Sequence, residues 1–154
     1  MSQESRSDGD LRNTGMSLKH DREWDYELDR IVEAVEERDA EKVGLQFPEG
    51  LKRRGPAVAD DLRALVPDDV TIMLSGQPCY GACDLDTFLM RRTDVFVHFG
   101  HSPMKESEKI IYVPLFSNVD VEPIMTESLD ELADPEDDPD IGLVTTAQHM
   151  NLFG

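Results

Sequence analysis

Four short segments that are apolar at almost every position constrain the fold more than anything else in this sequence. They are Val43-Gly44-Leu45-Gln46-Phe47, Val70-Thr71-Ile72-Met73-Leu74, Asp94-Val95-Phe96-Val97-His98-Phe99 and Lys109-Ile110-Ile111-Tyr112-Val113-Pro114-Leu115. A strand with one wet face alternates apolar and polar residues. These strands do not alternate, so both of their faces need cover, which is the property of a parallel sheet between helical layers. Helical spacing appears between them. Trp24, Leu28, Ile31, Val32 and Val35 form one stripe, and Val58, Leu62 and Leu65 form another within Leu51–Val66, with Gly55-Pro56 breaking its start. A third helix is expected over Leu85–Arg92. The expected fold is an α/β three-layer sandwich around a mostly parallel four-stranded sheet.

The flanks read differently. Residues 1–20 are polar, rich in Ser, Asp and Gly, and without periodicity, the pattern of a disordered tail. The first α/β domain is expected over 21–125. Residues 126–140 carry eight acids and no basic residue and read as an acidic linker, solvated around Pro135 to Pro139. Ile141-Gly142-Leu143-Val144-Thr145-Thr146 reads as the first strand of a second, similar domain, followed by a loop and helical turn over Gln148 to Phe153. A parallel strand without its crossover helix cannot bury its face. Residues 141–154 are therefore expected to be the truncated start of that second domain.

Charge narrows the class of function. The formal net charge is −18, and the fifteen basic residues are thinly spread, so the clustered cations of a nucleic-acid footprint are missing. The dense triplet Lys52-Arg53-Arg54 reads as a solvated helix face. Acids scattered over every segment fit adaptation to high intracellular salt, where repulsion is screened. No run approaches the roughly 20 apolar residues of a membrane span, and the N-terminus lacks the apolar stretch of a secretory signal. A cytoplasmic protein is expected. Two cysteines in that compartment read as reduced thiols, catalytic or metal-binding, rather than as a structural disulfide.

In an open parallel sheet the ligand site lies beyond the carboxyl ends of the strands. Pro48-Glu49-Gly50 follow the first strand, the loop Ser75–Asp84 follows the second, and Gly100-His101-Ser102 follow the third. Cys79 and Cys83 sit in a Gly/Pro-rich loop leading into a helix, whose N-terminus favours a thiolate. Their three-residue separation is neither the Cys-x-x-Cys of zinc ribbons nor a ferredoxin run, and two thiols cannot close a four-sulfur site. Alternative readings stand beside each candidate. The cysteines can be small buried residues, and Gly76 and Gly81 can serve only to supply positive φ. Glu49 can be a helix-start charge, and His98 a core histidine bonded to backbone. His101, just past its strand, is the better site candidate of the two histidines. No Walker loop, dinucleotide fingerprint, nucleophile elbow or His-Glu-x-x-His motif is present, and no residue is assigned a catalytic role.

The combination of Leu45-Gln46-Phe47-Pro48-Glu49-Gly50-Leu51, Ser75-Gly76, Tyr80-Gly81-Ala82-Cys83-Asp84 and Val97-His98-Phe99-Gly100-His101-Ser102 closely resembles the diphthamide biosynthesis family, the archaeal 2-(3-amino-3-carboxypropyl)histidine synthases and their eukaryotic relatives. The resemblance covers roughly residues 40 to 117. It implies a dimeric transferase of three similar α/β domains, each giving one cysteine to a 4Fe–4S cluster. S-adenosylmethionine binds the open iron, and its 3-amino-3-carboxypropyl group is transferred by a radical route to a histidine of translation elongation factor 2. It puts the metal ligand at Cys83 and leaves Cys79 without a required role. Gly76, Gly81, Gly100, His101 and Ser102 become cofactor-binding candidates, as donors to cluster sulfurs or to the substrate carboxylate. The missing thiolates lead to the expectation that this chain is inactive alone. The competing reading is a small cytosolic metal- or redox-binding module using Cys79 and Cys83.

Overall fold

The protein is described from a computed structural model, and the described residues are 24–132 and 144–152. The segment expected as a disordered tail, 1–20, lies outside them.

The four apolar segments form the strands β1 (Lys42–Gln46), β2 (Thr71–Leu74), β3 (Val95–Phe99) and β4 (Ile110–Val113). They pair in the order β2-β1-β3-β4, and every pairing is parallel. The central strand β3 is buried at all five positions. One face of the sheet presents Val43, Leu45, Val95, Val97, Phe99, Ile111 and Val113 to α1 (Leu28–Glu37) and α2 (Gly55–Arg63). The opposite face presents Phe96, Ile110 and Tyr112 to Leu89 of α3 (Thr87–Arg92). Each fully buried aliphatic or aromatic side chain contributes about 1.5–3 kcal/mol. Both faces are therefore needed, and the three-layer α/β sandwich follows.

Three helix boundaries differ from expectation, each for a local reason. Trp24 is not in α1, because Glu27 takes a left-handed conformation (φ 47) ahead of the helix. Trp24 instead bridges Ser117 and packs against the core. The segment Leu51–Val66 divides into a 3-10 turn over Glu49–Arg54 and the α-helix from Gly55, where Pro56 occupies a first-turn position that needs no N–H partner. The third helix starts only after Asp86, whose carboxylate Oδ1 accepts from the Leu89 N–H at 2.9 Å.

A helix not read from the sequence, α4 (Glu122–Leu132), spans the boundary placed at 126. Acidity suggested a linker, yet Glu, Met and Leu are good helix formers. The Asp120 carboxylate accepts from the Glu122 N–H at 3.0 Å, and the Thr126 and Ser128 hydroxyls donate to carbonyls one turn back. Of the expected second-domain strand, Ile141–Leu143 lie outside the described residues, and Val144–Thr146 belong to no strand. A 3-10 turn, Ala147–Leu152, follows. The Ser117 N–H donates to the Gln148 carbonyl at 2.7 Å, and Gln148 Nε2 donates to the Gly100 carbonyl at 3.3 Å. The end of the described chain thus touches the carboxyl rim of the sheet.

Two glycines let the rim and the α3 layer close up. A Cβ on Gly44 would stand 3.1 Å from Leu89, Thr93 and Phe96, so the lack of a side chain lets α3 lie against β1. Gly100 has φ +77, and a Cβ there would meet Pro48 Cγ at 2.8 Å. Gly100→Ala should therefore destabilise the fold by about 1–3 kcal/mol, the strain of a left-handed non-glycine residue, before the clash is counted. A lower denaturant midpoint with an unchanged slope checks this.

Candidate metal centre

The parallel register places Gln46 opposite His98 at the carboxyl ends of β1 and β3. Both side chains are fully buried. A buried amide must find partners, and Gln46 finds three. Its Nε2 donates to the Asp84 carbonyl at 2.6 Å, while its Oε1 accepts from the Asp86 N–H at 3.1 Å and faces His98 Nδ1 at 3.0 Å. The two backbone groups fix the amide orientation. An amide oxygen only accepts, so His98 Nδ1 carries the proton and Nε2 carries the lone pair. That Nε2 is buried and has no hydrogen-bond partner.

The loop after β2 is tied down by carboxylates and by the turn after β1. Ser75 Oγ donates to Asp86 Oδ2 at 2.7 Å. Asp84 Oδ2 accepts from the Tyr80 N–H at 2.8 Å, and the Asp84 N–H donates back to the Gly81 carbonyl at 3.0 Å. The Glu49 N–H donates to the Cys79 carbonyl at 3.0 Å, and Lys52 Nζ reaches the Gln77 carbonyl at 2.9 Å. Lys52 also pairs with Glu49, and its ammonium holds that carboxyl below the usual carboxylate range. Pro48-Glu49-Gly50 thus anchors the cysteine loop. The Lys52 end of the basic triplet serves this loop rather than a bare solvated face.

This loop treats the two cysteines differently. Both are free thiols, Cys79 buried and Cys83 exposed. Cys83 Sγ lies 3.8 Å from Asp84 Oδ1, a distance at which the thiol donates to the carboxylate. Cys79 Sγ lies 4.0 Å from His101 Nδ1, and His98 and His101 stack with ring centroids 5.1 Å apart. One ligand atom each from Cys79, His98 and His101 falls within 4.8 Å of the others, a group that Cys83 does not join.

The structure brings together Cys79, His98 and His101 and places Gly81, Cys83, Gly100 and Ser102 on the same rim. Several readings change. Burial, and next the Asp84 carboxylate, push the Cys79 thiol upward, against the expected favouring of thiolate by a helix N-terminus. The six-residue α3 starts at Thr87 and its cap is taken by Asp86. Gly76 and Gly81 do not have positive φ; among the described glycines Gly100 does. His98 bonds a side chain, not backbone. Gln46, Asp84 and Asp86 went unread as site-building residues. The available signals were a glutamine inside an apolar strand and an aspartate three residues ahead of a helical leucine. A cleft of about 680 Å³ bordered by Trp24, Leu28 and Leu65 contains none of these residues.

Burial, reinforced by the neighbouring His101, lowers His98 to about 4 from the ordinary 6.5. The groups facing its ring are Gln46, His101, Tyr112, Cys79 and Asp84, of which Asp84 acts weakly in the opposite sense. A depressed histidine favours the fold while neutral. The unfolded chain takes up the proton first, so stability is full above about pH 6.5 and falls as pH drops toward 4. The loss should be on the order of 3 kcal/mol. Chemical denaturation of metal-free protein across this window checks it, and His98→Gln should flatten the dependence.

The sequence matches the family model described as "Putative diphthamide synthesis protein" over residues 47–154. It is 30% identical over 125 residues to 2-(3-amino-3-carboxypropyl)histidine synthase subunit 1 of Danio rerio, covering 78% of this chain and 32% of the relative. Against the human subunit 1 it is 34% identical over 114 residues, covering 71% and 25%. The chain thus spans between a quarter and a third of the length of these relatives. Its fold is similar to a crystal structure of Dph2 from Pyrococcus horikoshii (TM-score 0.64, 29% identity, covering 82% of this chain and 37% of that one). It is also similar to a structure of that protein with a 4Fe–4S cluster (TM-score 0.58, 29% identity, covering 70% and 32%). Extended family match and shared fold together lead to one conclusion: the chain belongs to the diphthamide synthesis family.

Proposed function

We propose that this chain forms the first cluster-binding unit of a 2-(3-amino-3-carboxypropyl)histidine synthase and supplies one thiolate, Cys83, to a 4Fe–4S cluster. The observation that carries this is the exposed Cys83 thiol. It sits at the carboxyl rim of a parallel sheet, in a fold similar to a protein that holds such a cluster. The donor set fits one corner and no more. The chain has two cysteines, and Cys79 is buried against histidines, so the remaining thiolates come from further parts of the enzyme or from another chain.

When bound and reduced, the cluster supplies the electron that cleaves the bond from the sulfur of S-adenosylmethionine to its aminocarboxypropyl group. The protein's part is positioning. Asp84 orders the loop through the Tyr80 N–H and lies beside the Cys83 thiol. The backbone amides at Gly76, Gly81 and the Gly100-His101-Ser102 turn are donors for cluster sulfurs or for the substrate carboxylate. A histidine of elongation factor 2 is the acceptor in a cytoplasmic reaction, and the full enzyme is a dimer. Among the described residues no helix is long and apolar enough to cross a membrane.

The test is anaerobic incubation of the cluster-loaded enzyme containing this chain with S-adenosylmethionine, a reductant and elongation factor 2. Peptide mass spectrometry should show one aminocarboxypropyl group on a histidine, lost with Cys83→Ala. No adduct, or one that survives that substitution, would overturn the proposal.

A further inference from the structure

Beside the cluster thiolate lies a second set of soft and borderline donors whose side chains the proposed transfer does not use. Cys79 Sγ and one nitrogen each of His98 and His101 lie within 4.8 Å of one another. Two of the three residues, Cys79 and His98, are fully buried. With Nδ1 of His98 held by Gln46, the nitrogen left to a ligand is Nε2, the buried atom without a partner. A metal-bound imidazole usually gives its other N–H to a fixed acceptor in this way.

We propose that Cys79, His98 and His101 form a mononuclear site for a divalent transition metal of the zinc class, separate from the cluster ligand Cys83. One thiolate and two imidazoles suit such an ion, and three protein ligands leave a fourth position for water. Metal–sulfur and metal–nitrogen lengths of about 2.3 and 2.0 Å put tetrahedral ligand atoms roughly 3.5 Å apart. Cys79 Sγ and His101 Nδ1 stand 4.0 Å apart and all three ligand atoms lie within 4.8 Å of one another, so closing the site takes small movements of the three side chains, the half-buried His101 among them. Binding replaces the Cys79 S–H bond by a metal–sulfur bond and releases the proton to solvent, so no oxidant or reductant is needed. Asp84, which acts on both Cys79 and His98, adds negative charge beside the cation. The site would lock the cysteine loop to the end of β3 and so hold Cys83 in place.

The test is an anaerobic cobalt(II) titration of the metal-free, cluster-free chain, read by visible absorption. The expected result is one equivalent of cobalt with tetrahedral d–d bands and a thiolate charge-transfer band. The charge-transfer band should vanish in Cys79→Ser, the tetrahedral spectrum should be lost in His101→Ala, and both features should persist in Cys83→Ser. Circular dichroism confirms that each variant is folded. Excess zinc should displace the cobalt. The proposal is overturned if wild-type protein takes up no cobalt, if the thiolate band survives Cys79→Ser, or if it disappears with Cys83→Ser. The cluster reading stands or falls separately, since it is read on iron, sulfide and Cys83.

Discussion

Cys83→Ala should remove iron–sulfur binding while changing stability by no more than about 0.5 kcal/mol, the usual effect of an exposed substitution. Cys83 is exposed, and its Sγ has a single weak contact with Asp84. Removing that sulfur leaves no cavity and orphans no buried donor. The same change at Cys79 acts differently, because that side chain is fully buried and its loss opens a void beside His98 and His101. Denaturation curves for the two alanine variants, set beside their iron content, separate these roles. The expected pattern is a stable Cys83 variant without iron and a destabilised Cys79 variant that still acquires it.

Gln46→Leu should be among the most damaging single substitutions in the chain, although leucine suits a buried strand by hydrophobicity. It would leave the Asp84 carbonyl, the Asp86 N–H and the His98 Nδ1–H without partners. The His98 N–H is the buried orphan, costing about 1–3 kcal/mol; the two backbone groups are part-buried and add less, so a combined loss of roughly 2–3 kcal/mol is expected. A guanidinium melt should show a correspondingly lower midpoint. The damage should also reach function, because the same amide holds the start of α3 and the end of the cysteine loop in register with β3. Gln46→Glu keeps an acceptor for the Asp86 N–H and for His98 but cannot donate to the Asp84 carbonyl, so it should fall between wild type and the leucine variant.

These two residues mark what the sequence does and does not disclose. The strands were legible because burial on both faces leaves no room for alternation, as the fully buried β3 demonstrates. Their order, with β1 and β3 adjacent at the centre, is a long-range property that no local pattern encodes. The position of Cys83 on the carboxyl rim followed from motif order along the chain. The contrast between a buried Cys79 and an exposed Cys83 did not, since burial depends on how the loop folds over His98 and His101. Spacing groups the two cysteines together. The structure groups Cys79 with two histidines some twenty residues further on, because β3 carries them to the same rim. Helix α4 was missed for another reason: acidity was read as solvation, while helix propensity and capping by Asp120 decide the backbone there.

The most direct measurement is anaerobic reconstitution of the chain with iron and sulfide, in high salt and with a small thiol able to fill the remaining corners of a cluster. Iron, sulfide and visible absorption are then followed through gel filtration. An iron–sulfur chromophore should travel with the wild-type chain and with Cys79→Ser, and should be absent with Cys83→Ala. A wild-type chain that elutes without iron, or a chromophore that survives loss of Cys83, would contradict the assignment of Cys83 as the cluster thiolate.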